Sequence, residues 1–198
     1  MSKVVWLAAM LVLFMNVQPA TACSPMPWSY EELAHASTAI LYGEVAEAYQ
    51  DGRQPRVKAI QYVGPGPAPK TVLFPATVSS RKTPDDDCPD FSTTFQQGQA
   101  YLFFMKTTGP EPELLYTEWI TALQVTDDAV VVTIHGDEAN VQSLLEAYAT
   151  DNQQAVQTPD EAAPVWGEGK AFMPGVMIAA IVLALAGGVL LVVVRKRR

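Results

Sequence analysis

Apolar residues in this chain fall into two long runs separated by a middle of short, alternating pieces. The first run, residues 4–17, is apolar except for Asn16; Lys3 precedes it and the small residues of Ala20-Thr21-Ala22 follow. That order predicts a secretory signal peptide over residues 1–22, cut so that Cys23 becomes the first residue. The second run, residues 174–194, holds 21 positions without a charge, and Arg195-Lys196-Arg197-Arg198 follows at once. Such a run has the length of a bilayer core, and the terminal cations belong on the cytoplasmic side. The sequence therefore predicts a single transmembrane helix over 174–194, a cytoplasmic basic tail over 195–198 and an N-terminus outside the cell. Trp166 and Phe172 stand where an interfacial belt is expected. Ala180, Ala184 and Gly188 recur at four-residue spacing, which an Ala/Gly-rich span also produces by composition.

The middle is predicted to be one folded ectodomain over residues 23–150, followed by a flexible linker over 151–173. As a coil that linker reaches roughly 25 Å. Ser29-Tyr30-Glu31-Glu32 has the form of a capping box and predicts a short helix to about Ala36. Strands are expected over 38–49, with a bulge at Gly43, and over 56–63. The Pro/Gly-rich loop 64–69 then leads to a strand over 71–79, where Pro75 implies an edge or a bulge. Further strands are expected over 99–106, 113–125 and 129–135. Asp137 is expected to cap a helix whose apolar positions Val141, Leu144, Leu145 and Tyr148 keep the i, i+3, i+4, i+7 spacing. Many short strands with helices at the ends predict a small barrel or sandwich.

Charge sharpens this division. The whole chain carries 13 Lys+Arg and 21 Asp+Glu, a formal net charge of −8. Removing Lys3 and the four tail cations leaves 8 basic residues against 21 acidic ones between the two apolar runs, a net charge near −13. A field of that sign opposes phosphate binding, so no nucleic-acid partner is expected, and Tyr101, Phe103 and Phe104 read as packing residues rather than base-stacking ones. No phosphate loop and no His-Glu-x-x-His occurs. Asp85-Asp86-Asp87 with Asp90 lacks the ligand spacing and glycine of a calcium loop and reads as a solvated loop. His35 and His135 have no metal-like neighbours. Hence no metal, no cofactor and no enzymatic activity are expected.

Cys23 and Cys88 are the only cysteines. Both lie in the exported part, which suggests a disulfide between them. Lipidation of Cys23 competes for the same thiol, although Ala20-Thr21-Ala22 lacks the Leu usual before a lipidated cysteine; a free thiol is the third possibility.

Several segments carry a resemblance: the start Cys23-Ser24-Pro25, the strand Ala39-Ile40-Leu41-Tyr42-Gly43-Glu44-Val45, Cys88-Pro89-Asp90-Phe91, and the run from Phe95 to Phe104. Over about residues 23–126 the chain resembles the tissue inhibitors of metalloproteinases (TIMP) and, more broadly, the netrin-like (NTR) modules. The resemblance implies a five-stranded OB-fold barrel with flanking short helices and a bridge from Cys23 to Cys88. It also implies a metalloprotease partner, with Cys23 chelating the protease zinc through its terminal amine and Ser24 entering the specificity pocket. Pro25 stands where the inhibitors carry a second Cys, and their C-terminal disulfide-rich domain has no counterpart. The expected function is accordingly a non-enzymatic, membrane-anchored, protein-binding module; metalloprotease inhibition through Cys23 is the alternative. Cleavage of the span by a sorting enzyme and self-association are left open by the sequence.

Overall fold

A computed structural model describes residues 28–83 and 88–168. The signal peptide, Cys23, Ser24, residues 85–87, Phe172 and the span over 174–194 lie outside the described residues. Among the described residues no helix is long and apolar enough to cross a membrane.

Among the described residues the fold is mainly β: nine strands in one mixed sheet, with two helices. In chain order these are α1 (Tyr30–Ala36), β1 (Ala39–Tyr49), β2 (Gln54–Val63), β3 (Thr71–Leu73), β4 (Ala100–Thr107), β5 (Glu113–Leu114), β6 (Ala122–Thr126), β7 (Ala129–Val131), β8 (Glu138–Asn140), α2 (Val141–Asp151) and β9 (Val165–Trp166). The sheet runs β8-β7-β6-β4-β1-β2-β3-β9, with β5 paired to β4. Neighbours are antiparallel except β3 and β9, which run parallel.

The expected closed five-stranded barrel is not formed; the sheet stays open. Closure would need a ladder between the residues after β3 and those after β5. Pro75 has no N–H to give such a ladder, β3 ends at Leu73, and β5 is two residues long. Between these stretches the Val78 N–H donates to the Thr117 carbonyl at 2.7 Å. The expected strand over 71–79 therefore shortens to three residues. The expected strand over 113–125 divides into β5 and β6, and the one over 129–135 stops at Val131.

The two central strands are buried on both faces. Along β1, Ala39, Leu41 and Val45 enter one apolar cluster with Val57, Phe74 and Phe103. Ile40 enters a second cluster with Leu102 and Phe104 of β4, under Leu33 of α1 and Leu145 of α2. Successive strand residues point to opposite faces, so the unbroken run Leu102-Phe103-Phe104-Met105 supplies both clusters at once. Each large side chain so buried contributes about 1.5–3 kcal/mol. Tyr101, Phe103 and Phe104 are buried packing residues, as expected.

Gly43 breaks the register of β1 as its position suggested: Tyr42 faces Gln61, but Gly43 faces Ala59, so Ile60 is passed over and pushed outward. A Cβ on Gly43 would lie 2.6 Å from Val57 Cγ1 and 2.7 Å from the Lys58 carbonyl oxygen. No larger residue fits there without moving β2.

Ser29 caps α1 as expected: its hydroxyl accepts from the Glu32 N–H at 3.2 Å. The cap of α2 differs. Residues 138–140 are extended and pair with β7, so the first unpaired helical N–H groups come after Asn140. Asn140, not Asp137, accepts from the N–H groups of Gln142 and Ser143, at 2.9 and 3.3 Å. Asp137 instead accepts the Thr133 hydroxyl at 2.7 Å. Asn140→Ala is expected to cost about 1 kcal/mol, the usual value of a lost cap, measured as a lower urea midpoint; Asp137→Ala should cost less than half of that.

The expected flexible linker is, over residues 154–168, part of the folded unit. Gln157 exchanges backbone hydrogen bonds with Tyr62, at 2.9 and 2.8 Å, and its side-chain carbonyl accepts from the Ala68 N–H at 3.1 Å. The Lys70 N–H then donates to the Pro164 carbonyl at 2.8 Å, and Val165-Trp166 continues as β9 along Thr71-Val72. Trp166 is not an exposed belt residue: it is 5% exposed and meets Tyr62 edge to face, with ring centroids 5.5 Å apart. Burial pushes the Tyr62 phenol up to about 12.

Candidate functional site

The segment that carries Cys88 is fastened by a cluster of polar side chains, all brought from outside it except Asp90 and Ser92. Its anchor is Asp90. The β1–β2 turn, with Gln50, Asp51 and Gly52 at positive φ, delivers Arg53 to the segment. The Arg53 guanidinium donates to Asp90 Oδ2 at 2.8 Å and to Ser92 Oγ at 2.6 Å. Ser79 Oγ also donates to Asp90 Oδ2, at 2.6 Å. Asp90 Oδ1 accepts from the N–H and hydroxyl of Ser80, both at 3.1 Å, and from the N–H and hydroxyl of Ser92, at 3.0 and 2.7 Å. A carboxylate offers about four lone-pair sites, so these donors leave no oxygen free for a cation. The calcium reading of this loop has no support at Asp90 for that reason.

Partial burial works against the Asp90 charge, but the hydrogen bonds from Ser79, Ser92 and Arg53 outweigh it and hold the carboxyl well below the usual carboxylate range. A depressed folded-state pKa contributes stability that is fully present above the unfolded value, about 3.9, and is lost as pH falls through the folded one. Asp90→Asn is therefore expected to lower stability by about 2 kcal/mol at pH 7, since one partner of a charged network is removed but water can reach the remainder. Urea unfolding repeated between pH 7 and pH 2 should show the gap between the two proteins narrowing only below about pH 4.

Further contacts complete the attachment. Arg81 Nε donates to the Cys88 carbonyl at 3.0 Å, and the Phe91 N–H donates to Ser80 Oγ at 2.7 Å. The Phe91 ring stacks on Trp119, centroids 5.4 Å apart and planes 13° from parallel. Thr77 Oγ1 donates to the Thr93 carbonyl at 2.8 Å, and the Thr121 N–H donates to Thr93 Oγ1 at 3.3 Å. Side chains and loop backbone thus bridge the gap that a closing ladder would have filled.

Beside this segment lies a cavity of about 470 Å³, lined by Trp28, Phe91, Thr93, Tyr101, Leu123 and Val131 among others. Trp28 is the first described residue of this stretch and lines the same cavity as Phe91. Four residues lie between it and Cys23, a span of at most roughly 17 Å.

Among the residues expected to act, Cys88 is disulfide-bonded. The other cysteine of the chain, Cys23, and the neighbouring Ser24 lie outside the described residues. His35 lies in the last turn of α1 and His135 in the turn after β7, and both are exposed. Among the described residues no group of three His, Cys, Asp or Glu side chains could hold a metal ion. Arg53, Ser79, Ser80 and Trp119 were not singled out by the sequence, because they meet the Cys88 segment only through the tertiary fold. Asp90 did carry a local signal: an Asp side chain in a loop favours a turn that accepts the backbone N–H two residues on, here that of Ser92.

Comparison with family models, with curated proteins and with solved structures finds no match for this chain.

Proposed function

We propose that the chain is a membrane-anchored, extracytoplasmic protein-binding module without catalytic activity, whose binding edge is the Cys88 segment together with the start of the mature chain. The observation that carries this is the Asp90 cluster. Seven hydrogen bonds around one aspartate and one serine hold Cys88-Pro89-Asp90-Phe91-Ser92 in a set conformation at the surface. Order built into an irregular segment lowers the entropy that a partner must otherwise remove on binding. The order β3-β2-β1-β4-β6 supports reading the core as an open relative of the OB barrel, and OB-like cores commonly present their loops to ligands.

In this reading Cys88 is bridged to Cys23. Cys88 is in a disulfide, the chain holds one other cysteine, and Trp28 and Phe91 line the same cavity. The same observation favours the second reading, metalloprotease inhibition: a bridged first residue would present its amine and carbonyl at a rigid edge, where a catalytic zinc with an open position can take them. An α-amino group with a pKa of about 7.7–8.0 is partly neutral near physiological pH.

N-terminal mapping of the mature protein without reduction tests both. The expected result is a free Cys23 amine on a peptide linked to Cys88. A lipidated or unbridged Cys23 overturns the proposed edge. Inhibition assays against a metalloprotease panel then separate the readings: loss of inhibition on adding one Ala before Cys23 selects the inhibitor, and no inhibition by the natural terminus selects the plain binding module.

A further inference from the structure

We infer that residues 154–168 are a docked strap that holds the domain close against the bilayer, so that the Cys88 edge serves a protein partner in the same membrane. This rests on the membrane anchoring proposed above. With a linker over 151–173 the domain would stand on 23 residues, a contour of roughly 80 Å. The structure removes most of that length. Gln157 is hydrogen-bonded into Tyr62 and Ala68, Pro164 accepts from Lys70, and Val165-Trp166 forms β9. The Gly167 N–H donates to the Pro110 carbonyl at 3.2 Å, and Gly167 takes a φ of +85° with the Leu73 carbonyl oxygen 2.0 Å from where a Cβ would stand. Only glycine combines that backbone with that approach. Glu168 closes the strap by pairing with Arg56.

What remains before the apolar run at 174 is residues 169–173, at most roughly 17 Å. A domain of this size is roughly 35–40 Å across by the scaling of its radius of gyration. The tether is shorter than the domain it holds. The end of the fold that carries Glu168, Arg56 and Pro110 must therefore face the membrane.

The Cys88 edge lies at that same end. Arg56 pairs with Glu168 while Arg53, three residues earlier on the same chain segment, pairs with Asp90. Three extended residues span about 10 Å. A partner that takes the Cys88 edge is thus met at the bilayer surface, and the net charge near −13 between the apolar runs asks for a basic face on it.

The test uses the full chain reconstituted in phosphatidylcholine vesicles, with a donor dye on an azide-bearing residue at the exposed Glu118 and acceptor dye on a fraction of the lipid headgroups. A second chain carries 20 additional Gly/Ser residues between Lys170 and Ala171. Energy transfer at least two-fold higher in the natural chain is expected, with Trp166→Ala falling between the two. Equal transfer in the natural and lengthened chains overturns the strap. A chain that does not float with vesicles overturns the anchor itself, a different failure. In cells that make the protein, a photo-cross-linker at Glu118 should give a product retained by carbonate-washed membranes. A product released by carbonate, or none, counts against a partner in the same membrane.

Discussion

Phe103→Ala is expected to lower stability by about 4 kcal/mol, within the range measured for truncating a fully buried phenylalanine. Phe103 is 0% exposed. Its ring stacks on Phe74 at 5.3 Å and on Phe95 at 5.5 Å between centroids, and Tyr101 lies 5.8 Å away. Those three rings come from the end of β3, from the segment after Ser92 and from β4 itself. Truncation therefore opens a cavity where three parts of the chain meet, and none of them can move in without breaking its own ladder or hydrogen bonds. Urea unfolding followed by circular dichroism would read the loss as a lower midpoint at an unchanged slope. A loss below 1 kcal/mol would mean that the aromatic cluster repacks, contrary to the close packing described.

The second large effect concerns the strap. Trp166→Ala is expected to cost about 3 kcal/mol, the lower end for tryptophan truncation, because β9 is short and can release without unfolding the sheet. Loss of the Tyr62 contact removes the main apolar anchor of residues 154–168. Hydrogen exchange should show this as local opening. The amides of Gln157 and Gly167 are expected to lose protection first, while Leu145 and Tyr148 in α2 keep theirs. Uniform loss across α2 and the sheet would instead make the strap inseparable from the global fold.

Much of the architecture was legible in the chain. The Ser29 capping box, the bulge at Gly43, the apolar spacing of α2 and the central strands all follow from local chemistry: a hydroxyl placed to accept an N–H, a residue without a Cβ, and periodicities of 3.6 and 2. Where the reading missed, a nonlocal contact decided. Asn140 replaced Asp137 as cap because residues 138–140 were taken up by pairing with β7. Residues 154–168 had no periodicity of their own, and they are ordered by backbone hydrogen bonds to Tyr62 and Lys70 rather than by any pattern within them. Trp166 fitted an interfacial belt by position in sequence, yet it fills a place on the Tyr62 ring.

The candidate edge divides in the same way. Cys88 could be picked out because cysteines are few and lie in the part of the chain expected to be exported. Arg53, Ser79, Ser80 and Trp119 could not, since each is unremarkable among its sequence neighbours and gains its role only where the β1–β2 turn and two loops converge on Asp90.

By itself, then, the amino-acid sequence determined the composition of the regions: two apolar runs, a strongly acidic middle, two cysteines and a set of β-forming segments with their local caps and bulges. These depend on residues within a few positions of one another. Only the tertiary structure decided that the sheet stays open, that side chains and loop backbone around Asp90 span its gap, and that the segment toward the second apolar run lies docked on the sheet. Each of those outcomes is a choice between partners far apart in the chain, made by which backbone groups remain unpaired once the central strands have formed.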